Sequence, residues 1–145
     1  IIAIFNPWLQ NKLSQEGETF KIQSFFRKFL LPLVATVILF YVSLGKTVIE
    51  LIGSEDFTVA YEPMLILLSG YSFYLLTFWI RQYLLFNKLI KFHTYGRILY
   101  SSTFIVLSLF IAPIYGYSGI AISLSISMIL QKIFEYFIYK TKLSQ

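Results

Sequence analysis

The strongest constraint on the fold of this chain is a run of 34 residues, 98–131, that contains no charged side chain. Such a run is too long for one ordinary membrane crossing, because about 20 apolar residues span a hydrocarbon core of about 30 Å. Pro113, Gly116 and Gly119 lie close together at its centre, and this spacing predicts a tight turn. The run therefore divides into two predicted helices, 98–114 and 119–139.

Two further apolar segments precede this run. Residues 29–45 carry no charge, and neither do residues 63–80, where Pro63 stands in the favoured first turn of a helix. The apolar pattern of the second segment continues to Phe86. The sequence therefore predicts an all-α integral membrane protein with about four transmembrane helices. They are 29–45, 63–86, 98–114 and 119–139.

The N-terminal part of the chain predicts two smaller features. Residues 10–28 mix charges with a rough helical stripe of aromatic residues, as in an amphipathic helix lying on the cytoplasmic membrane surface. Residues 1–9 are apolar until Asn6 and Pro7 and are typical of the end of a preceding transmembrane helix. Since the chain starts at Ile1, we expect a fragment of a larger helical bundle.

The composition excludes several other classes of protein. Only 13% of the residues are charged and 57% are hydrophobic, whereas about a quarter of the residues of a soluble domain are charged. The absence of cysteine excludes disulfides, thiolate metal sites and a cysteine nucleophile. The net charge of +5 does not indicate nucleic-acid binding, because the basic residues lie between apolar runs and form no continuous stripe.

The distribution of charge predicts the orientation in the membrane. With four crossings, 11 of the 12 basic residues fall on the side of the N-terminal loop, and only Lys46 falls on the other side. Four of the seven acids accompany Lys46. Because basic residues collect on the cytoplasmic side, both ends of the chain are predicted to be cytoplasmic.

No catalytic constellation is visible in the sequence. His93, the single histidine, lies in a basic segment, 87–97, that we interpret as a loop, and a solvated side chain is expected there. A metal site or a catalytic triad would need partners that the sequence does not offer, and there is no nucleotide-binding motif. We therefore expect no enzyme activity, no catalytic residue, no metal and no cofactor.

Charged residues inside the predicted spans are the best candidates for a binding site, because burying them in a membrane is costly. Arg81 lies roughly 27 Å along its helix from Pro63, near the cytoplasmic interface. It either extends to the head groups or lines a cavity that binds an anionic group. Lys132 and Glu135 are three residues apart on one helix face and form either an interfacial pair or a pair facing a cavity.

Tyrosines and small residues suggest two further roles. Tyr71 and Tyr74, with Tyr136 and Tyr139, are candidates for lining a sugar path, although tyrosine is also common in the belts at membrane surfaces. Small residues are predicted to form one closely packed side of the last helix. They are Gly119, Ala121, Ser123, Ser125 and Ser127.

Three passages resemble a known family. IGSEDFTVAYEPMLIL (52–67) has a glycine, an aromatic residue and an alanine before a helix, and NKLIKFHTYGR (87–97) is a short basic loop. The most specific is IAPIYGYSGIAISLSIS (111–127), a proline and glycine hairpin followed by alternating small residues. On the basis of these passages, the segment 10–145 resembles the polysaccharide biosynthesis C-terminal domain of O-antigen and capsule flippases. Those flippases belong to the superfamily of multidrug, oligosaccharidyl-lipid and polysaccharide exporters.

The resemblance implies a function at the bacterial inner membrane. It implies transport of a polyprenyl-diphosphate-linked oligosaccharide across that membrane, for lipopolysaccharide or other surface polysaccharide. The expected partners are this lipid-linked substrate, membrane lipid and the remaining half of the same transporter. A multidrug exporter, a non-transporting scaffold of a polysaccharide-synthesis complex and a membrane-embedded glycosyltransferase are the alternatives; the last matches the loop carboxylates poorly.

Overall fold

A computed structural model describes residues 19–53 and 55–143, and every element assigned in these ranges is helical. The helices are α1 (Thr19–Ile52), α2 (Tyr61–Leu76), α3 (Phe78–Phe86) and α4 (Ile90–Leu143), and a 3-10 helix (Glu55–Ala60) joins α1 to α2. The predicted helix end at residues 1–9, residues 10–18 of the predicted amphipathic helix and residues 144–145 lie outside the described residues.

Three helical segments are long and apolar enough to cross a membrane. They are Lys28–Leu51, Phe57–Leu76 and Ile90–Thr141. Large apolar side chains along all three are exposed. Such a surface suits a hydrocarbon solvent, because lipid tails leave no penalty on exposed leucine or phenylalanine.

The third segment is bent back on itself at Gly116. This glycine has φ 56° and ψ −131°, values that are not helical and that side-chain-bearing residues rarely adopt. The bend divides α4 into a first arm (90–115) and a second arm (117–143). A Cβ atom added at Gly119 would lie 2.7 Å from the carbonyl oxygen of Ile111, so the arms touch beside the bend. The predicted division of the 34-residue run is confirmed at this point.

The first predicted span, 29–45, is longer in the structure. Helix α1 begins at Thr19 and ends at Ile52, so residues 19–28 continue the same helix and are not a separate surface helix. Pro32 does not end it, although it cannot donate a hydrogen bond to the carbonyl oxygen four residues earlier. Helical structure also continues beyond residue 45, to Ile52 in α1 and then through the 3-10 helix.

The second predicted span, 63–86, is interrupted at Thr77. Helix α2 ends at Leu76, and α3 starts at Phe78. The Thr77 hydroxyl donates to the carbonyl oxygen of Phe73, at 2.8 Å. The Thr77 backbone N–H donates to the same oxygen at 3.2 Å, and the Ile80 N–H donates to the Thr77 carbonyl oxygen three residues earlier, as in a tighter turn.

The basic segment 87–97 is mostly helix, so its prediction as a loop was wrong. Only residues 87–89 separate α3 from α4, with Lys88 at φ 57°. Ile90 begins α4, and the first arm is therefore two turns longer than the predicted helix 98–114. The error arose because the charged residues of 87–97 were taken to lie outside the helix, although charged side chains are tolerated on its exposed side.

The helices pack around the second arm of α4. Helix α2 makes its most extensive contacts with α4, and α3 also lies against α4. At the closest approach, a Cβ atom on Gly70 would lie 2.9 Å from the Cα atom of Ser125. The Ser125 hydroxyl donates to the carbonyl oxygen of Ile66, at 3.0 Å. Small residues thus allow the two backbones to meet.

Candidate functional site

The small residues of the second arm lie on two sides of the helix, and not on the one side that the sequence suggested. Gly119, Ser123 and Ser127 recur every four residues, and Ser123 and Ser127 are buried and donate to carbonyl oxygens one turn earlier. Ala121 and Ser125 are rotated away from them, because successive residues turn by about 100°. One set continues the contact with the first arm, and the other faces α2.

Lys132 and Glu135 continue these two faces at the far end of the second arm. The lysine is 1% exposed and the glutamate is fully buried. Lys132 Nζ lies 2.6 Å from Glu135 Oε2. The structure buries the pair inside the bundle, and it confirms neither the interfacial nor the cavity-facing arrangement that the sequence left open. An isolated buried charge would be very costly, so each of these groups depends on the other.

The other carboxylate oxygen of Glu135 receives two more partners. Gln131 Nε2 donates to Oε1 at 2.8 Å, and His93 Nδ1 lies 2.9 Å from the same oxygen. Gly96 permits this approach, since a Cβ atom there would lie 3.3 Å from Glu135 Oε1. The carboxylate is therefore held by three side chains from both arms of α4.

His93 and Gln131 are functional candidates that sequence reasoning missed. The His93 side chain is 12% exposed and contacts a buried carboxylate, so the prediction of a solvated loop residue was wrong. The sequence did carry a signal. His93 and Gly96 are three residues apart, as are Lys132 and Glu135, and this spacing brings residues to one face of a helix.

Tyr74 connects this pair with Arg81. Lys132 Nζ lies 4.4 Å from the centre of the Tyr74 ring, within the range of a cation–π contact. Arg81 Nη1 lies 3.4 Å from the Tyr74 hydroxyl, and Arg81 Nε is buried with no hydrogen-bond partner in the described part of the chain. Two cations thus contact one tyrosine, Lys132 at its ring and Arg81 at its hydroxyl.

We call this group of side chains the polar cluster. It contains Tyr74, Arg81, His93, Gln131, Lys132 and Glu135. With a neutral histidine, its charges sum to +1, from two cations and one carboxylate. Four of the seven candidates named from the sequence are therefore brought together by α2, α3 and the second arm. They are Tyr74, Arg81, Lys132 and Glu135.

Tyr71, which was also predicted to line a sugar path, lies outside the polar cluster. It lies on α2 three residues before Tyr74, but its side chain is 47% exposed. Of the other two tyrosines proposed for a sugar path, Tyr139 is buried and packs edge-on against Trp79 and Tyr83. Tyr136 is exposed. Tyr139 therefore belongs to an apolar core and not to an open path.

The polar cluster differs from the clefts elsewhere in the molecule. Two neighbouring clefts of about 300 and 390 Å³ lie near the start of α2 and share Phe57, Ala60 and Met64. Their remaining lining is almost wholly apolar. Within residues 19–53 and 55–143, no group of three potential ligands is placed to hold a metal ion. The polar cluster, in contrast, offers charged and hydrogen-bonding side chains.

The fold and the cluster together define a helical protein with apolar, membrane-length helices around a buried charged site. Comparison of the chain with protein-family models, with curated proteins and with solved structures found no match. The similarity to polysaccharide flippases therefore stays a prediction from the three quoted passages.

Proposed function

We propose that this chain is part of a flippase that moves a polyprenyl-diphosphate-linked oligosaccharide across a membrane for surface polysaccharide synthesis. The observation that carries the proposal is the polar cluster, in which Lys132 and Arg81 both contact Tyr74 within an apolar bundle. Buried ionisable residues in membrane helices commonly mark the path of a substrate or ion. A diphosphate is the part of such a substrate that needs cations.

The proposed topology has four crossings, formed by α1, by α2 with α3, and by the two arms of α4. Both ends of the chain are then cytoplasmic, because that orientation leaves Lys46 as the single basic residue outside. Lys132 lies 16 residues after Gly116 (132 − 116), or roughly 24 Å along the second arm. The polar cluster would therefore lie in the cytoplasmic half of the membrane, where the substrate is loaded.

The proposed division of roles follows from the contacts. Arg81 has a buried Nε without a partner among the described residues and can accept an anion without losing an ion pair. Lys132 is already paired, so an anion must compete with Glu135 for it. Tyr74 holds both cations, and Tyr71, one turn earlier, offers an exposed ring and hydroxyl to the sugar.

A multidrug exporter is the first alternative. An exporter of cationic drugs needs an acidic group that is free to receive a cation. Glu135 is the acidic residue within the predicted spans, and three side chains already occupy its carboxylate. This arrangement favours an anionic substrate. A non-transporting scaffold is the second alternative.

Deletion of the gene in its host tests the proposal. Lipid-linked oligosaccharide should accumulate in the cytoplasmic leaflet, and wild-type protein should clear it. Arg81→Ala should clear it at least about tenfold more slowly, because one good charge-assisted contact contributes about 1.5–3 kcal/mol. Lys132→Met combined with Glu135→Gln should also fail, since it removes the second cation without leaving an unpaired charge.

Lys140→Met is the matched control, because Lys140 is an exposed lysine on the same arm. It should clear the substrate at the wild-type rate when both proteins reach the membrane in equal amounts. Unchanged surface polysaccharide and unchanged lipid-linked precursors in the deletion strain would overturn the flippase assignment. Drug export or a structural role would then take its place.

A further inference from the structure

We propose that anion binding at Lys132 is linked to the uptake of one proton by the His93–Glu135 pair. This inference rests on the proposed function and adds the regulation of the same site. It makes the polar cluster a site that binds a diphosphate and a proton together.

The geometry leaves Lys132 unable to receive an anion as it stands. Its ammonium group lies 2.6 Å from Glu135 Oε2, and the face of Tyr74 covers another side at 4.4 Å. A phosphate oxygen that reaches Nζ must therefore come close to the carboxylate. Two like charges at such a distance repel strongly in an interior from which water is excluded.

One proton on the pair removes this conflict. A neutral Glu135 carboxyl group no longer holds the ammonium by charge, and it no longer repels a phosphate. With a neutral histidine, the proton raises the net charge of the cluster from +1 to +2, which offsets more of the negative charge of a diphosphate. The proton need not be assigned to one group, because closely coupled groups titrate as a pair.

His93 supplies the connection to water. Its Nδ1 lies 2.9 Å from Glu135 Oε1, and its side chain is 12% exposed whereas the glutamate is fully buried. Histidine exchanges protons between about pH 5 and 8, which suits it to this role. A proton from solvent converts the ring to an imidazolium, which passes its Nδ1 proton to Oε1. The ring is then neutral again, and the pair has taken up one proton.

The groups around the His93–Glu135 pair lie on the second arm and on the elements packed against it. Lys132 and Gln131 contact Glu135 from its own helix, and His93 contacts it from the first arm. Helix α2 contributes Tyr74, and α3 contributes Arg81, which contacts that tyrosine. Within the described chain, Lys132 and His93 are therefore the titratable side chains that contact the Glu135 carboxylate.

The test is isothermal titration of the purified chain in lipid nanodiscs with geranyl diphosphate, a short isoprenyl diphosphate. At about pH 8 this probe has lost its own protons, because a phosphate ester has its second pKa near 6. Repeating the titration in buffers of different ionisation enthalpy gives the number of protons taken up. We expect about one per bound probe, and an affinity that falls about tenfold per pH unit once the pair has lost its proton.

Two variants separate the linkage from a structural effect. Glu135→Gln is permanently neutral, so it should bind the probe at least as tightly as wild type at about pH 8, with no proton uptake. Glu62→Gln, an exposed acid in the first turn of α2, should behave as wild type. If Glu135→Gln does not fold, the number of protons that the wild-type protein takes up per bound probe still decides whether the linkage exists.

The possible failures are distinct. Binding of the probe by wild type with no proton uptake and no dependence on pH would overturn the linkage and leave the anion site standing. No binding of the probe at any pH between about 6 and 8, by wild type or by Glu135→Gln, would overturn both the linkage and the proposed diphosphate site.

Discussion

Helix α1 and the second arm of α4 look alike in hydropathy but differ in what they bury. Each holds an uncharged segment long enough for most of a membrane crossing. Among the described side chains of α1, Val34 is the buried hydrophobic one, whereas the second arm buries serines, a glutamine and an ion pair. The difference lies in the small residues, which allow α2 to approach the second arm closely.

This contrast shows what hydropathy measures in a membrane helix. It identifies which segments can be surrounded by lipid, but it does not identify which of them build a site. A buried polar group must find partners inside the protein, and close backbone packing brings those partners within reach. The second arm therefore combines small residues toward the bend with charged residues at its other end.

The largest expected effect comes from breaking the ion pair of the second arm. Lys132→Met leaves a buried carboxylate without its cation and should lower the free energy of unfolding by about 3–5 kcal/mol. Lys132→Met with Glu135→Gln should recover most of this loss. Unfolding by sodium dodecyl sulfate in mixed micelles measures both values. A single variant as stable as the double variant would mean that the pair is not buried.

A smaller loss is expected where α2 meets the second arm. Gly70→Leu places a side chain against the backbone of Ser125 and should cost about 1–3 kcal/mol. Ser69→Leu, on the exposed neighbouring position, is the control and should change stability little. Equal effects of the two substitutions in the same unfolding assay would show that α2 does not pack on α4 at Gly70.

The bend at Gly116 is expected to contribute through its backbone alone. A Cβ atom at this position meets nothing within 4 Å, but φ is 56°. Gly116→Ala should therefore cost on the order of 1 kcal/mol from conformational strain, with no loss of packing. Tyr117→Ala, at the exposed next residue, serves as the comparison. If Gly116→Ala leaves the unfolding midpoint unchanged, the arms do not turn at this glycine.

The smallest effect should occur on α1. Leu39 is 66% exposed, so Leu39→Ala should change the free energy of unfolding by no more than about 0.5 kcal/mol. A loss above about 2 kcal/mol, the range of a buried leucine, would show that this face of α1 is covered. The contrast between α1 and the second arm would then disappear.

Sequence reasoning predicted the helical class, the division of the long run and most of the polar cluster. Pro113 and Gly116 predicted the bend, because few residues other than glycine adopt its backbone angles. Lys132 and Glu135 were paired correctly by helical spacing. His93 was placed wrongly because its partner lies 42 residues away, and the spacing of His93 and Gly96 indicates a shared helix face but not what that face contacts. The break at Thr77 was missed because threonine also occurs in continuous helices.

Length and composition define three candidate segments, and the bend at Gly116 divides the longest of them. The three passages that resemble flippases predict the substrate class. The polar cluster supports an anionic substrate by its chemistry, through two cations and one carboxylate that is already occupied.

The central claim is that the polar cluster binds the substrate and does more than hold helices together. Exchanging the charges of Lys132 and Glu135 tests this claim most directly. Lys132→Glu with Glu135→Lys keeps an ion pair at the same spacing, and neutral His93 and Gln131 can both offer acceptors to the new lysine. We predict that this variant reaches the membrane at wild-type levels but leaves lipid-linked oligosaccharide in the cytoplasmic leaflet of the deletion strain. Clearance at the wild-type rate would contradict the claim and would reduce the cluster to a structural ion pair.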